Sequence, residues 1–423
     1  MRRLLSLVFT TITATLSEAA APTFHKDILP ILRDHCQGCH RPGQIGPMPL
    51  LSYTQVRPWA AAIREAVKLR KMPPWFADPK HGVFANDARL SEDAIERIEA
   101  WVKAGVPAGS KADTPAKLGR VESDATLPTA DLILTAPASF VVPANAVVDY
   151  QYLVLPLDLS ADKWVRSVEI QPSDRRVVHH AVLYIREAGS QWLRNVPPGR
   201  WYAPSVNDPD AVRRTRDTKE DILGIYTPGA PAARFPENTA KKLPATADLV
   251  LQVHYTSTKS RTADKPRVVL SFADRDPEKR IITLQMGRDD LRVPAGEANY
   301  RASVSGTLPG DALLISMFPH MHLRGSAFEF DIVGSKGYIE TLLRVKPYNF
   351  NWQLNYILAE PRPLKKGTVL RWTGYFDNSR NNPNNPDPTA EVTWGEQSWD
   401  EMMIGFFDVA VDPHVNKQDY FIR

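Results

Sequence analysis

The spacing of apolar residues along this chain changes character near residue 131. From Thr23 to about Gly109 the pattern is helical. Ile28, Leu29, Ile31 and Leu32 make one apolar face, and residues 59–69 and 91–104 repeat every 3.6 positions. The run SEDAIERIEAWVKAGVP carries both boundary signals. Ser91 fits an N-cap, acidic residues follow it, and Gly105 with Val106-Pro107 ends the helix. Residues 110–130 are polar, without a long apolar pattern, and read as a linker. Beyond Asp131 short β-rich runs recur between Pro, Gly, Asn and Asp turns, among them YQYLVLPL, VVHHAVLYI, DLVLQVHYTS, ALLISMF and TVLRWTGYF. That stretch is too long for one ordinary sandwich, so two are expected, joined near 276–282. The expected fold is mainly β: sandwiches at 131–280 and 281–423, preceded by a small all-α domain at 22–109.

Composition adds limits. The chain has 423 residues, 43% of them hydrophobic and 24% charged, with 36 prolines, as befits a globular protein rich in strands and loops. The formal net charge of +4 is spread out, with no run of five or more Lys or Arg, which gives nucleic-acid binding little support. Arg2 and Arg3 precede an apolar stretch from Leu4 to Leu16 and small residues at Ala19, Ala20 and Ala21. This is the layout of a signal peptide over 1–21, cleaved near Ala21. The stretch is shorter than the ~20 residues of a membrane span, so the expectation is an exported bacterial protein, periplasmic or secreted, without stable membrane insertion.

The only two cysteines form one motif, Cys36-Gln37-Gly38-Cys39-His40, so the β region carries no disulfide. C-x-x-C-H spacing lets two thiols bond one haem while the adjacent histidine ligates its iron. A redox pair would prefer a thioredoxin-like setting, and half a zinc site lacks its second cysteine pair. Met72, Met48, His25, His35 and His81 are all candidates for the sixth ligand. The stretches HKDILPILRDHCQGCHRPG and RKMPPWFADP resemble a small bacterial cytochrome c domain, and that resemblance implies Met72.

Five of the ten histidines fall inside apolar strand-like runs: His179, His180, His254, His320 and His322. Positions 320 and 322 share one face of a strand and can converge on one ion. The adjacent pair 179 and 180 would point to opposite faces unless a bulge or strand end brings them together. Imidazoles suit copper, zinc, iron or nickel, whereas a thioether ligand favours copper(I); Met402 and Met403 are the candidates for one.

The ordered series HH, QVHY, HMH and DEM resembles the copper type II, ascorbate-dependent monooxygenases, the family of peptidylglycine α-hydroxylating and dopamine β-monooxygenases. The resemblance covers about residues 130–423. It implies two jelly-roll halves with one copper each, set across a solvent-filled cleft. By resemblance His179, His180 and His254 hold an electron-transfer copper. His320, His322 and Met402 hold the copper at which O2 reacts and a C–H bond is hydroxylated.

This sequence departs from the peptide-hydroxylating members, which place an Arg, an Asn and a Tyr where Phe318, Ile404 and Phe406 stand here. An apolar wall cannot offset the desolvation of a carboxylate, so a small apolar or aromatic substrate is expected. The fused haem segment is expected to replace ascorbate, fed by an external electron donor. Two other readings remain: a copper- and haem-binding electron-transfer protein without hydroxylase activity, and a haem-tethered binding sandwich with incidental histidines. The loop YFDNSRNNPNNPDP reads as a surface connector, or as a substrate lid or calcium loop.

Overall fold

A computed structural model describes residues 21–116, 130–204, 220–229, 232–420 and 422. Residues 1–20 of the expected signal and most of the expected linker lie outside them. The chain is mainly β, arranged in several sheets. Among the described residues no helix is long and apolar enough to cross a membrane.

The N-terminal part is helical where the apolar repeat is continuous. Phe24–Ile28 runs into Leu29–His35, and Ala60–Lys68 and Glu92–Lys103 pack with them around Phe24, Ile98 and Trp101. The Ser91 hydroxyl caps the last helix by accepting from the Ala94 N–H, and Gly105 leaves it at a φ of +85°. The helical pattern expected throughout fails over residues 73–90. Pro73, Pro74 and Pro79 remove amide donors and fix φ, so this stretch runs irregular and extended along the β region. Trp75, Ala77 and Phe84 belong to the core of the C-terminal sheets.

One large sheet runs through both halves of the β region. Its path is Leu132–Thr135, Arg267–Phe272, Lys163–Gln171, Thr239–Leu243, Lys279–Gly287, Met403–Val411, Ala312–Met321 and Tyr356–Leu364. Over its first half lies a five-stranded sheet containing Gln151–Pro156, Asp248–Tyr255, Val178–Arg186 and Asp221–Tyr226, and the two close on a shared core that includes Leu183, Leu251 and Leu270. Over its second half lies a four-stranded sheet of Tyr300–Thr307, Val369–Phe376, Gly325–Val333 and Ile339–Val345, with Phe330, Trp372 and Phe407 between the layers. Separate cores pack against the two halves of this sheet, yet the sheet itself does not break between them. Thr239 and Ala240 pair in parallel with Lys279 and Arg280.

A buried ammonium fixes that junction. Lys241, 2% exposed, donates from Nζ to the Ile222 carbonyl, to Thr283 Oγ1 at 2.6 Å and to Asp408 Oδ1 at 3.1 Å. Thr283 and Ser316 hydroxyls donate to the same Asp408 carboxylate. The charge is matched and its donors are used, the condition under which a buried ion pair is tolerated.

Removing one partner strands the other. Lys241→Met should cost about 3–5 kcal/mol of stability, and Lys241→Met with Asp408→Leu should recover much of it. Urea unfolding of the single and double variants checks this, and a neutral single variant counts against the network.

Candidate metal centre

His179 and His180 begin the Val178–Arg186 strand, and His254 is the penultimate residue of its antiparallel neighbour. In the ladder His254 pairs with His180, after which a bulge shifts the register so that Tyr255 pairs with Val178. The irregularity turns two adjacent side chains, which a regular strand would point apart, to the same place. The Nδ1 atoms of His179 and His180 stand 3.0 Å apart, and one nitrogen from each of the three histidines lies within 4.8 Å of the others. Two nitrogens on one tetrahedral ion stand roughly 3.3 Å apart, given metal–nitrogen bonds of about 2.0–2.1 Å.

His320 and His322 project from the C-terminal half of Ala312–Met321 and just beyond it. This strand pairs with Met403–Val411 so that His320 faces Ile404 and Phe318 faces Phe406. The i, i+2 rule holds. Met317 and Met321 enter the core, while Phe318, His320 and His322 line a pocket. The same alternation separates the two candidate methionines. Met403 packs in the core near Met321, and Met402 faces the pocket beside His320 and His322.

The structure differs from the cleft implied by the resemblance. All five imidazoles form one cluster, with the His180 and His320 rings 6.1 Å apart. Phe350 joins both sets. Its ring stacks on His179 at 4.9 Å and lies 6.3 Å from His322, and Tyr150 stacks on His254 at 4.7 Å.

Buried polar atoms without partners single out a binding site. His179 Nε2, His254 Nδ1 and both ring nitrogens of His322 lack a hydrogen bond of good geometry, although the backbone of Phe350 lies close to the His179 ring and that of Gln397 and Asp400 close to the His322 ring. His320 is held differently. Its Nδ1 donates to Gln353 Oε1 at 2.6 Å, which leaves the Nε2 lone pair for an ion. Burial lowers every one of these pKa values: His179 and His320 to about 4, His254 to about 3, and His180 and His322 well below 6.5. Neutral imidazoles are the metal-binding form.

Three supports were not apparent in the sequence. Glu401 is fully buried, and its carboxylate accepts from the N–H groups of His322, Arg324 and Met402 at 3.0, 2.6 and 3.0 Å. It thus ties the HMH strand to Met402. Burial lifts its pKa to about 7 against the pull of those donors. Gln353 and Phe350 come from a loop with no strand or helix pattern. The asparagine-rich loop is largely exposed from Arg380 to Pro388, as a surface connector would be, but its start is buried. Asn378, fully buried, accepts from Arg324 Nε and donates to the carbonyls of Pro294 and Ala390, buttressing the turn after His322.

The pocket beside the cluster has a cavity volume of about 90 Å³ and is partly open to solvent. Tyr152, Tyr184 and Trp192 form one wall and Phe318, Ile404 and Phe406 the other; Gln252, Gln285 and Glu396 supply its polar groups. All three positions where the peptide-hydroxylating members place substrate-holding residues therefore face this pocket.

The cysteine motif lies elsewhere, after helix Leu29–His35. Cys36 and Cys39 do not form a disulfide, and burial raises the Cys36 thiol to about 12. His40 Nδ1 donates to the Met48 carbonyl at 3.2 Å, leaving Nε2 free. Met48 packs with Cys36 on the helical core, whereas Met72 is half-buried in the turn after Ala60–Lys68. Cys39 reaches the β region. Gly229, at φ +80°, lies so close that a β-carbon there would sit 2.4 Å from its Sγ.

No family model matches the chain, and no curated protein matches it. Among solved structures, the major capsid protein P2 of bacteriophage PM2 aligns over 67% of this chain and 98% of its own, at 10% identity and a TM-score of 0.27. The PNGase F glycosylasparaginase of Flavobacterium meningosepticum aligns over 66% and 89%, at 11% and 0.22. An infectious bursal disease virus Gx strain structure aligns over 70% and 75%, at 7% and 0.19. Likeness this low carries no functional argument.

The lowered histidine pKa values set a pH dependence for the metal-free protein. Between pH 6.5 and about 4 the unfolded chain binds protons that the folded cluster refuses. Stability should therefore be full above pH 6.5 and fall as pH drops toward 4. A series of urea titrations from pH 7 to pH 4 measures the slope, and a His254→Gln, His320→Gln variant should flatten it.

Proposed function

We propose that this chain is an exported haem- and copper-containing monooxygenase, similar to the copper type II, ascorbate-dependent enzymes. On this reading the β region is two jelly-roll sandwiches and the helical segment a small all-α cytochrome c domain. The observation that carries the reading is the cluster of buried, neutral imidazoles with unpartnered ring nitrogens, opening with Met402 onto an aromatic pocket. Imidazole and thioether together suit copper in its two oxidation states.

His179, His180 and His254 would hold one copper, and His320, His322 and Met402 a second. Copper so held supplies one-electron redox chemistry with O2 for insertion of oxygen into a C–H bond. The protein's own groups then bind and orient. Gln353 fixes the tautomer of His320, Glu401 holds His322 and Met402 at one spacing, and the aromatic walls position a small apolar or aromatic substrate while excluding water. Among the described residues no Lys or Arg lines the pocket, so those walls offer a substrate carboxylate no charged partner.

Cys36, Cys39 and His40 would hold a c-type haem, with Met72 as the expected sixth ligand. The donor set fits: two thiols with two residues between them, and the Met48 carbonyl orienting the adjacent His40. Such a haem supplies single electrons received from an external donor. Contact of Cys39 with Gly229 supports delivery to the three-histidine set, because Asp221–Tyr226, just before Gly229, pairs with the His180 strand through Tyr226 and Ala181.

Metal analysis with oxygen uptake tests the reading. The purified full chain should carry about one haem and two coppers. Once reduced, it should consume O2 with members of a panel of apolar and aromatic compounds. His322→Ala should keep the haem and lose the uptake. Copper without O2 uptake would favour the electron-transfer reading, and absence of copper would leave only a binding sandwich.

A further inference from the structure

The histidine cluster is reached by a loop whose ends are held by the N-terminal segment. Residues 346–356 leave the four-stranded sheet, touch the cluster through Phe350 and Gln353, and enter the Tyr356–Leu364 strand. Close to its start the Tyr348 hydroxyl both donates to the Met321 carbonyl and accepts from the Met321 N–H. Both ends meet residues 75–86. At the start, Lys346 N–H donates to the Phe76 carbonyl at 3.1 Å, and Ala77 bridges Val345. At the finish, Asn86 donates to the Asn355 carbonyl at 2.7 Å and accepts from the Ile357 N–H at 3.0 Å, while Phe84 bridges Leu358. Trp75, Phe84 and Tyr356 pack edge to face, with centroids 4.9–5.9 Å apart.

We propose that this strap, residues 75–86, is a positioning part of the histidine centre, fixing the loop that presents Gln353 to His320 and Phe350 to His179. The strands at either end and Tyr348 set the loop's course, yet a shift of a few tenths of an ångström decides whether the 2.6 Å Gln353–His320 bond forms. Anchoring both ends to one segment limits that shift. The segment carrying the cysteine motif is thereby also a structural wall of the metal centre, so its loss would loosen the centre even if no electron ever passed through it.

The inference rests on reading His320 and His322 as metal ligands, and its test separates the two claims. Asn86→Ala and Trp75→Leu are made in the full chain, with Trp75→Phe as the conservative control and Gln353→Ala as the direct comparison. Hydrogen exchange is read over 346–356, and copper affinity is read by chelator competition. Removing a direct partner of a metal ligand typically costs 10–100-fold in affinity, so Gln353→Ala should fall in that range. The strap variants, acting one contact further out, should lose about three- to tenfold and speed exchange in 346–356, with exchange in 178–186 unchanged. Trp75→Phe should restore both. Faster exchange with unaltered copper affinity overturns the positioning role, as does unaltered exchange in both strap variants. A parent protein that takes up no copper overturns the metal reading instead, and the exchange data still decide whether the strap orders the loop. Asn86 is exposed, so its variant is expected to fold even where a Trp75 variant does not.

Discussion

The whole centre depends on a sheet that does not break between two cores. A pair of separate sandwiches could sit at many angles, and their histidines would meet only by chance. Here the parallel pairing of 239–240 with 279–280 and the Lys241–Asp408 network leave one arrangement. Its consequence is chemical as well as architectural. Fixing the units side by side brings His180 of the first within 6.1 Å of His320 of the second. A buried cation satisfied by a carboxylate, a hydroxyl and a carbonyl has few alternative geometries, so it sets register as well as contributing to stability.

Around the cluster the pattern repeats at smaller scale. Each candidate ligand is oriented by a neighbour with little freedom of its own: Gln353 for His320, Glu401 for His322 and Met402, Phe350 for His179, and Tyr150 for both His254 and His180. Those neighbours are in turn held. Asn378 grips Arg324 in the turn following His322, and Tyr348 binds the strand at Met321. This layering keeps five imidazoles neutral and close together, an arrangement that burial alone makes costly. A metal ion would relieve that cost by giving the idle nitrogens a partner.

Much of the site was legible because its periodicities are local. His320 and His322 share a face by strand alternation, and the same alternation sends Met403 inward and Met402 to the pocket. The need for a bulge at His179 and His180 also followed from alternation, and the bulge lies between His254 and Tyr255. Glu401 was readable only as part of DEM, since nothing in a sequence says that a carboxylate will be buried against three amides. Gln353, Phe350 and Asn378 stand in loops whose composition signals turns and nothing more. Residues 73–90 misled for a related reason, because their prolines exclude a helix without saying which surface the extended chain will cover.

The sequence by itself determined the local quantities: where helices start and stop, which strand residues share a face, and which donor atoms are on offer. Those depend on neighbours a few positions apart, and backbone geometry fixes them. Tertiary structure alone decided that the two histidine sets form one cluster, that one sheet spans both cores, and that an N-terminal strap closes over the loop beside the centre. Each of these joins residues from 40 to over 260 positions apart, as with Thr239 and Lys279 or Asn86 and Asn355. Such contacts are set by the packing of whole surfaces, which no short window of sequence encodes.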